Sequence, residues 1–262
     1  MTAPATPAAP AVPGAAGTTD EPAGAGPAAA ADGASPRRRP AGPWAIWALD
    51  IVLAALAAAV YFGAVHGTGV FPHLHVRLRW YELAAAFGLT EVYVIHLQFR
   101  AEAHSVSVNE LPLVVGLVFA SPHDLILGQL AGAAAALILH RRQAPVKLCF
   151  NLANLSLQTV LAALVFHTVV AGHDPVSPIG WIAALLAAVT CAGVAIASIV
   201  IAIVLSEGHI PSRRAAQTFA LGLAATFTTS NLGVVAVLLL ASTPLAVAPL
   251  LVLTVVLVTA YR

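Results

Sequence analysis

Charged residues are scarce in this chain, at 9% of 262 residues, where a soluble domain carries about 25%. Lysine is almost missing: Lys147 stands alone among eleven arginines. Only two cysteines occur, Cys149 and Cys191, each deep in an apolar run. That spacing argues against a structural disulfide framework or a thiolate metal site. No P-loop, no G-x-S-x-G elbow and no dinucleotide fingerprint is present, so the sequence carries no catalytic motif. No H-E-x-x-H or E-x-x-H pair supplies a metal site, and nothing implies a cofactor. Nothing in the pattern points to nucleic acid either.

What is present is apolar sequence. Hydrophobic residues make up 60% of the chain and mean hydropathy is +0.90. Runs near 20 residues long recur, the length needed to cross a bilayer. The expected fold is an all-α polytopic membrane helix bundle of about eight transmembrane helices, with the lipid bilayer as its first partner. The spans read as 43–64, 80–98, 104–120, 122–140, 147–171, 178–205, 215–240 and 243–261. Residues 1–41 are almost all Ala, Pro, Gly, Thr and Ser. Such a segment cannot bury enough apolar surface to offset its ordering entropy. It reads as a disordered cytoplasmic tail, and residues 42–262 as one integral membrane domain.

Charge placement orients the bundle. With the N-terminus inside, ten basic residues fall on the inner side: Arg37, Arg38, Arg39, Arg100, Arg141, Arg142, Lys147, Arg213, Arg214 and Arg262. Only Arg77 and Arg79 fall outside. The positive-inside rule therefore puts both termini in the cytoplasm. Trp44, Trp47, Trp80 and Trp181 all fall near span ends, where amphipathic rings settle at the interface.

One stretch breaks the apolar pattern. "FRAEAHSVSVNELPLVVGL", residues 99–117, gathers two glutamates, a histidine, two serines and an asparagine at the mouth of a hydrophobic segment. "NELPLVVGLVFA" is too short to cross at about 1.5 Å per residue. Were it a re-entrant hook, the basic cluster at 141–147 would move outside and the charge bias would collapse. The third span is therefore expected to include His104 to Glu110 as helix, placing the polar residues in the inner leaflet. A bland reading exists for part of the cluster. Ser107-x-x-Glu110 fits a capping box, with Pro112 near the first turn. Capping leaves Glu91, Glu102 and His104 unexplained.

Ionisable groups at membrane depth are costly and face a bundle interior or a wet cavity. The candidate ligand-sensing pocket is Glu91, His96, Glu102, His104, Ser107 and Glu110, converging with Asn151 on the fifth span. Asn151, Asn154 and Gln158 share one helix face at spacings of three and four, where amides more often serve as interhelical glue. Asp50 and Asn231 could join the same network. On the other side, His66, His73, His75, His123 and His173 sit with Asp124 and Asp174, and exposed loop histidines are more often inert. The small-residue run "GQLAGAAAA", 128–136, is a close-packing surface for helices.

"EAHSVSVNELPLVVGLVFASP", followed by "RRQAPVKLCFNLAN", resembles the N-terminal multi-span sensor region of actinobacterial GGDEF/EAL proteins, which act in cyclic di-GMP signalling. The first pattern is carried by Glu102, Ala103, His104, Ser105, Ser107, Glu110 and Pro112, the second by Lys147, Leu148, Phe150 and Asn151. The resemblance covers roughly residues 45–262. It implies a bacterial plasma-membrane sensor domain regulating cytoplasmic output domains in cis, diguanylate cyclase or phosphodiesterase, with a homodimer through the membrane domain as a further partner. Neither a GGDEF nor an EAL signature occurs in these 262 residues, so the chain is expected to be either a fragment or a free-standing module. A proton-coupled or small-solute transporter and a purely structural anchor are the alternatives.

Overall fold

The structure is a computed structural model that describes residues 44–72, 74–92, 95–99, 102–106, 109–207 and 213–243; between 93 and 108 it describes backbone alone. The expected tail, 1–41, and the expected last span, 243–261, lie outside the described residues, Thr243 excepted.

Seven helices and one hairpin are found among the described residues. Helix α1 (Trp44–Val60) continues as a π-helical turn, Tyr61–Val65. Helix α2 (Trp80–Val92) is followed by strands β1 (Ile95–Phe99) and β2 (Glu102–Val106). Then come α3 (Glu110–Phe119) and α4 (Pro122–Ala135), the latter extended by a π-helical turn, Ala136–His140. Helices α5 (Pro145–Val170), α6 (Pro178–Glu207) and α7 (Arg213–Ser242) complete the bundle. Proline opens α4, α5 and α6, at the position where a missing N–H costs nothing. Ser121 caps α4 by accepting from the Asp124 amide at 3.0 Å, and its hydroxyl donates to the Asp124 carboxylate at 2.7 Å.

Five helical segments are long and apolar enough to cross a bilayer: Trp44–Val65, Pro122–His140, Pro145–Val170, Pro178–Ser206 and Gly222–Ser242. The chain is a helical membrane protein, and its outer surface agrees. Ile51, Val52, Leu56 and Phe62 on α1 are exposed, as are Phe227, Leu232, Val235 and Leu239 on α7. In lipid such residues are at home, because no water must be excluded from them.

The second and third expected spans are corrected. Helix α2 stops at Val92 and α3 does not begin until Glu110. Between them Ile95–Phe99 and Glu102–Val106 pair antiparallel, with Leu97 opposite His104, Phe99 opposite Glu102 and His96 opposite Ser105. Residues 104–106 are thus strand and not the first turn of a helix. A hairpin satisfies half of each strand's backbone groups without helix, and β1 alternates apolar and polar residues in period two. At ten residues, α3 is about 15 Å long, half the thickness of a hydrocarbon core.

The elements nevertheless alternate in direction. The Trp80 amide donates to Asp124 at the starts of α2 and α4, and Arg141 meets Glu91 at their ends. These two helices pack through glycine. A Cβ on Gly128 would lie 2.6 Å from the Leu83 Cβ, and one on Gly132 would collide with the Ala84 carbonyl. The small-residue run is indeed a close-packing surface. Helix α3 runs beside the second half of α7, where Gly233 faces Val114. Most of the apolar core lies here, around Val114, Leu117, Phe119, Phe166 and Val237, all under 3% exposed.

Candidate functional site

Glu110 opens α3, and its carboxylate reaches across to the last described helix. Oε1 accepts from the Thr226 hydroxyl and Oε2 from the Thr229 hydroxyl, each at 3.0 Å. Thr226 and Thr229 are buried, and their spacing of three puts both hydroxyls on one side of α7. Each carboxylate oxygen thus faces its own hydroxyl, and that of Thr229 also lies within reach of the Ala225 and Thr226 carbonyls. Thr226 lies 13 residues beyond the start of a 30-residue helix, about 20 Å along it. Glu110 is therefore level with the middle of α7. Asn109 directly precedes the helix and its own side chain makes no capping bond, while Ser107, the other half of the expected capping box, lies outside the described residues. Glu110 spends its carboxylate between helices.

A second polar group ties the ends of α2, α3 and α4 together. Glu91 pairs with the Arg141 guanidinium at 3.1 Å, and Arg141 also donates to the Glu91 carbonyl at 2.9 Å. The other Glu91 oxygen accepts from the Asn109 side-chain amide at 2.9 Å, while the Thr90 hydroxyl donates to Asn109 Oδ1. Asn109 adjoins Glu110, so this group and the α3–α7 clasp meet at one helix start. A shift of α3 along its axis disturbs both.

Asn151 stands elsewhere. Its amide donates to the Gln143 side chain at 2.7 Å, within the turn that leads into α5. Of the expected pocket, the structure joins Glu91 to the residue next to Glu110 and gives Asn151 a separate partner. Glu102, His104 and His96 lie in the hairpin, with β2 approaching α7. Their side chains and all of Ser107 are outside the described residues. A polar bond does join α5 to α4, with the Thr159 hydroxyl donating to Gln129 in the buried interior, but the amide it uses belongs to α4 and not to Asn151, Asn154 or Gln158. Cys149 and Cys191 are both free thiols, the first exposed and the second buried.

Thr226, Thr229, Asn109, Thr90 and Arg141 were not among the expected site residues. "TFTTS", 226–230, was the available signal, with hydroxyls at spacings of three and four in an apolar helix. At the opposite end, a cleft of about 450 Å³ is lined by Tyr61, His66, Thr68, Ser121 and His123. There the Tyr61 hydroxyl lies 3.4 Å from His123 Nδ1. Among the described residues no group of three His, Cys, Asp or Glu side chains converges on a point.

Comparison with known families, characterised proteins and solved structures finds no match to this chain.

Proposed function

We propose that this chain is a membrane-embedded sensory domain that converts a signal at the bilayer into a change in helix packing, and passes it to cytoplasmic output domains of the cyclic di-GMP type. The supporting observation is the clasp of Glu110 on Thr226 and Thr229. It joins a half-length helix, with a hairpin at its start, to the middle of α7. A carboxylate held by two hydroxyls in a mostly apolar interior has two discrete states, clasped and released. A signal that favours one arrangement shifts the population by its differential affinity and by nothing else. The sensing pocket in this reading takes Glu110 and Glu91 with the hairpin residues Glu102, His104 and His96, and with Ser107 and Asn151.

The end of the bundle carrying Arg141, Arg142, Lys147, Arg213 and Arg214 faces the cytoplasm in this proposal, and the membrane is the bacterial plasma membrane. Eight passes follow if 243–261 crosses as its composition suggests. Homodimerisation through the lipid-facing helices belongs to the same proposal.

A transporter is the rival reading, because discontinuous helices also build transport sites. Such sites place their broken helices in corresponding positions of two repeats. Here the short helices α2 and α3 are consecutive and flank a single hairpin, which favours the sensor. The test is cellular cyclic di-GMP measured with the gene's whole product. Glu110→Gln, and separately Thr226→Val with Thr229→Val, should change the nucleotide level while the protein still inserts. Unchanged levels in both would remove the clasp from signalling, and solute uptake dependent on Glu110 would move the assignment to transport.

A further inference from the structure

Two side chains in the bundle are buried with acceptor atoms that nothing satisfies. Asp50 on α1 and Asn154 on α5 are each 6% exposed. Both carboxylate oxygens of Asp50 and the amide oxygen of Asn154 lack a hydrogen-bond partner among the described residues. Every other buried side-chain nitrogen or oxygen that the structure describes avoids this condition. A buried carboxylate with no donor is among the most expensive arrangements a fold can hold.

Helix register brings the two together. Helices α1 and α5 run in the same direction, and their contact is an apolar seam of Leu49, Leu53 and Ala57 with Ala153, Leu157 and Leu161. Further along, Ala64 and Thr68 line one cleft with His167 and Thr168. Both contacts follow one constant offset in sequence, and at that offset Asp50 lies level with Asn154. Val194 of α6 closes the same seam, and one turn beyond it Ser198 is buried at 3% exposure. Asp50 is the one ionisable residue of α1 before its π-helical turn. On α5 the nearest titratable groups are Lys147 and Cys149, both exposed. Between Cys191 and Glu207, α6 carries no ionisable residue, and Cys191 donates to the Gln158 carbonyl. Among the described residues, no cation is therefore placed to answer Asp50.

We propose that Asp50 and Asn154 form a buried site for one monovalent cation, a proton or a sodium ion. The chemistry is common to both: three unpartnered oxygen acceptors carrying one negative charge, with the Asn154 amide N–H groups the only donors the two side chains supply. A proton on the carboxylate would be donated to the Asn154 amide oxygen, joining two of the three unsatisfied oxygens in one hydrogen bond and neutralising the charge. Sodium would bind the same oxygens directly. Asp50 lies about 9 Å along α1 from Trp44, so the ion enters from the arginine-rich end. The site is independent of the Glu110 clasp and holds whatever the output of the domain.

The test uses the full chain in detergent micelles, with thermal unfolding followed by tryptophan fluorescence, since Trp44 and Trp47 flank the site on α1. Sodium chloride is titrated against choline chloride at constant ionic strength and fixed pH. The pH is then varied in choline chloride alone. Binding to the folded state raises the unfolding midpoint by about 5 °C at saturation. A rise with sodium identifies a sodium site, and a rise as pH falls without sodium dependence identifies a proton site. Asp50→Asn, whose amide supplies its own donor to Asn154, should lose the response in both arms and match or exceed the midpoint of ion-free wild type. Asp50→Leu, which removes the acceptors, should also be flat. A wild-type midpoint that ignores both titrations, or variants that keep the wild-type shift, would overturn the proposal.

Discussion

Replacing the two threonines that hold Glu110 by valine changes almost no volume and removes two donors. A hydrogen bond to a charged group contributes about 1.5–3 kcal/mol in water-soluble proteins, and interhelical bonds in membranes average about 0.6. Thr226→Val or Thr229→Val alone leaves the carboxylate one hydroxyl, and should cost about 1 kcal/mol. The double replacement strands a half-buried carboxylate at the middle of the bundle. Its cost should exceed twice the single cost and reach about 3 kcal/mol, as when one side of a buried pair is deleted. At about 2–4 °C per kcal/mol for a domain of this size, the unfolding midpoint falls by about 10 °C. Cys191 provides the probe, because it is 7% exposed and becomes available to a thiol-reactive dye only as the helices separate. A Cys149→Ser background removes the exposed thiol. On a Glu110→Gln background the same double replacement should cost much less, since no charge is left stranded. Equal costs on both backgrounds would refute the reasoning, showing that the threonines act through packing alone.

Other outcomes follow from the same geometry. Gly132→Val should lower the midpoint sharply, because a Cβ there collides with the Ala84 carbonyl and backbone cannot yield as a side-chain tip can; a midpoint within a degree of wild type would contradict the close α2–α4 packing. Arg141→Ala should cost about 1 kcal/mol or less, given a guanidinium 35% exposed in a pair partly screened by solvent, with the loss shrinking as salt is added. In the folded protein Cys149 should label within the dead time of the assay and Cys191 only on unfolding.

How much of this was legible depends on which rule applied. Expected spans at 43–64, 122–140, 147–171, 178–205 and 215–240 match helical segments to within two residues, because length and hydropathy settle such cases. The failure lies between 93 and 109. "IHLQF" alternates in period two, which is strand patterning, but "EAHSV" breaks the alternation at His104–Ser105, and span length with the charge bias set the expected third helix. A helix need not cross on its own when a hairpin and neighbouring helices complete the layer. Glu110 was identified as a residue that must find a partner in the bundle. The partner was not, since Thr226 and Thr229 are 116 and 119 residues away and hydroxyls in apolar helices usually bond their own backbone. Asp50 could be noted in sequence as an intramembrane charge, but only the register of α1 on α5 sets it level with Asn154.

The most direct test of signalling through the α3–α7 contact is a reversible lock between the two helices. A Cβ on Gly233 lies 2.8 Å from the Val114 Cβ, so a small separation reaches the about 3.8 Å that a disulfide requires. Val114→Cys with Gly233→Cys, in a background free of Cys149 and Cys191, should cross-link under mild oxidant. Cellular cyclic di-GMP, the output of the proposed reading, is then compared in the oxidised and reduced states. The clasp as a moving part predicts that locking α3 to α7 changes the nucleotide level and that reductant restores it. A complete cross-link that leaves the level unchanged would contradict signal transmission through this contact.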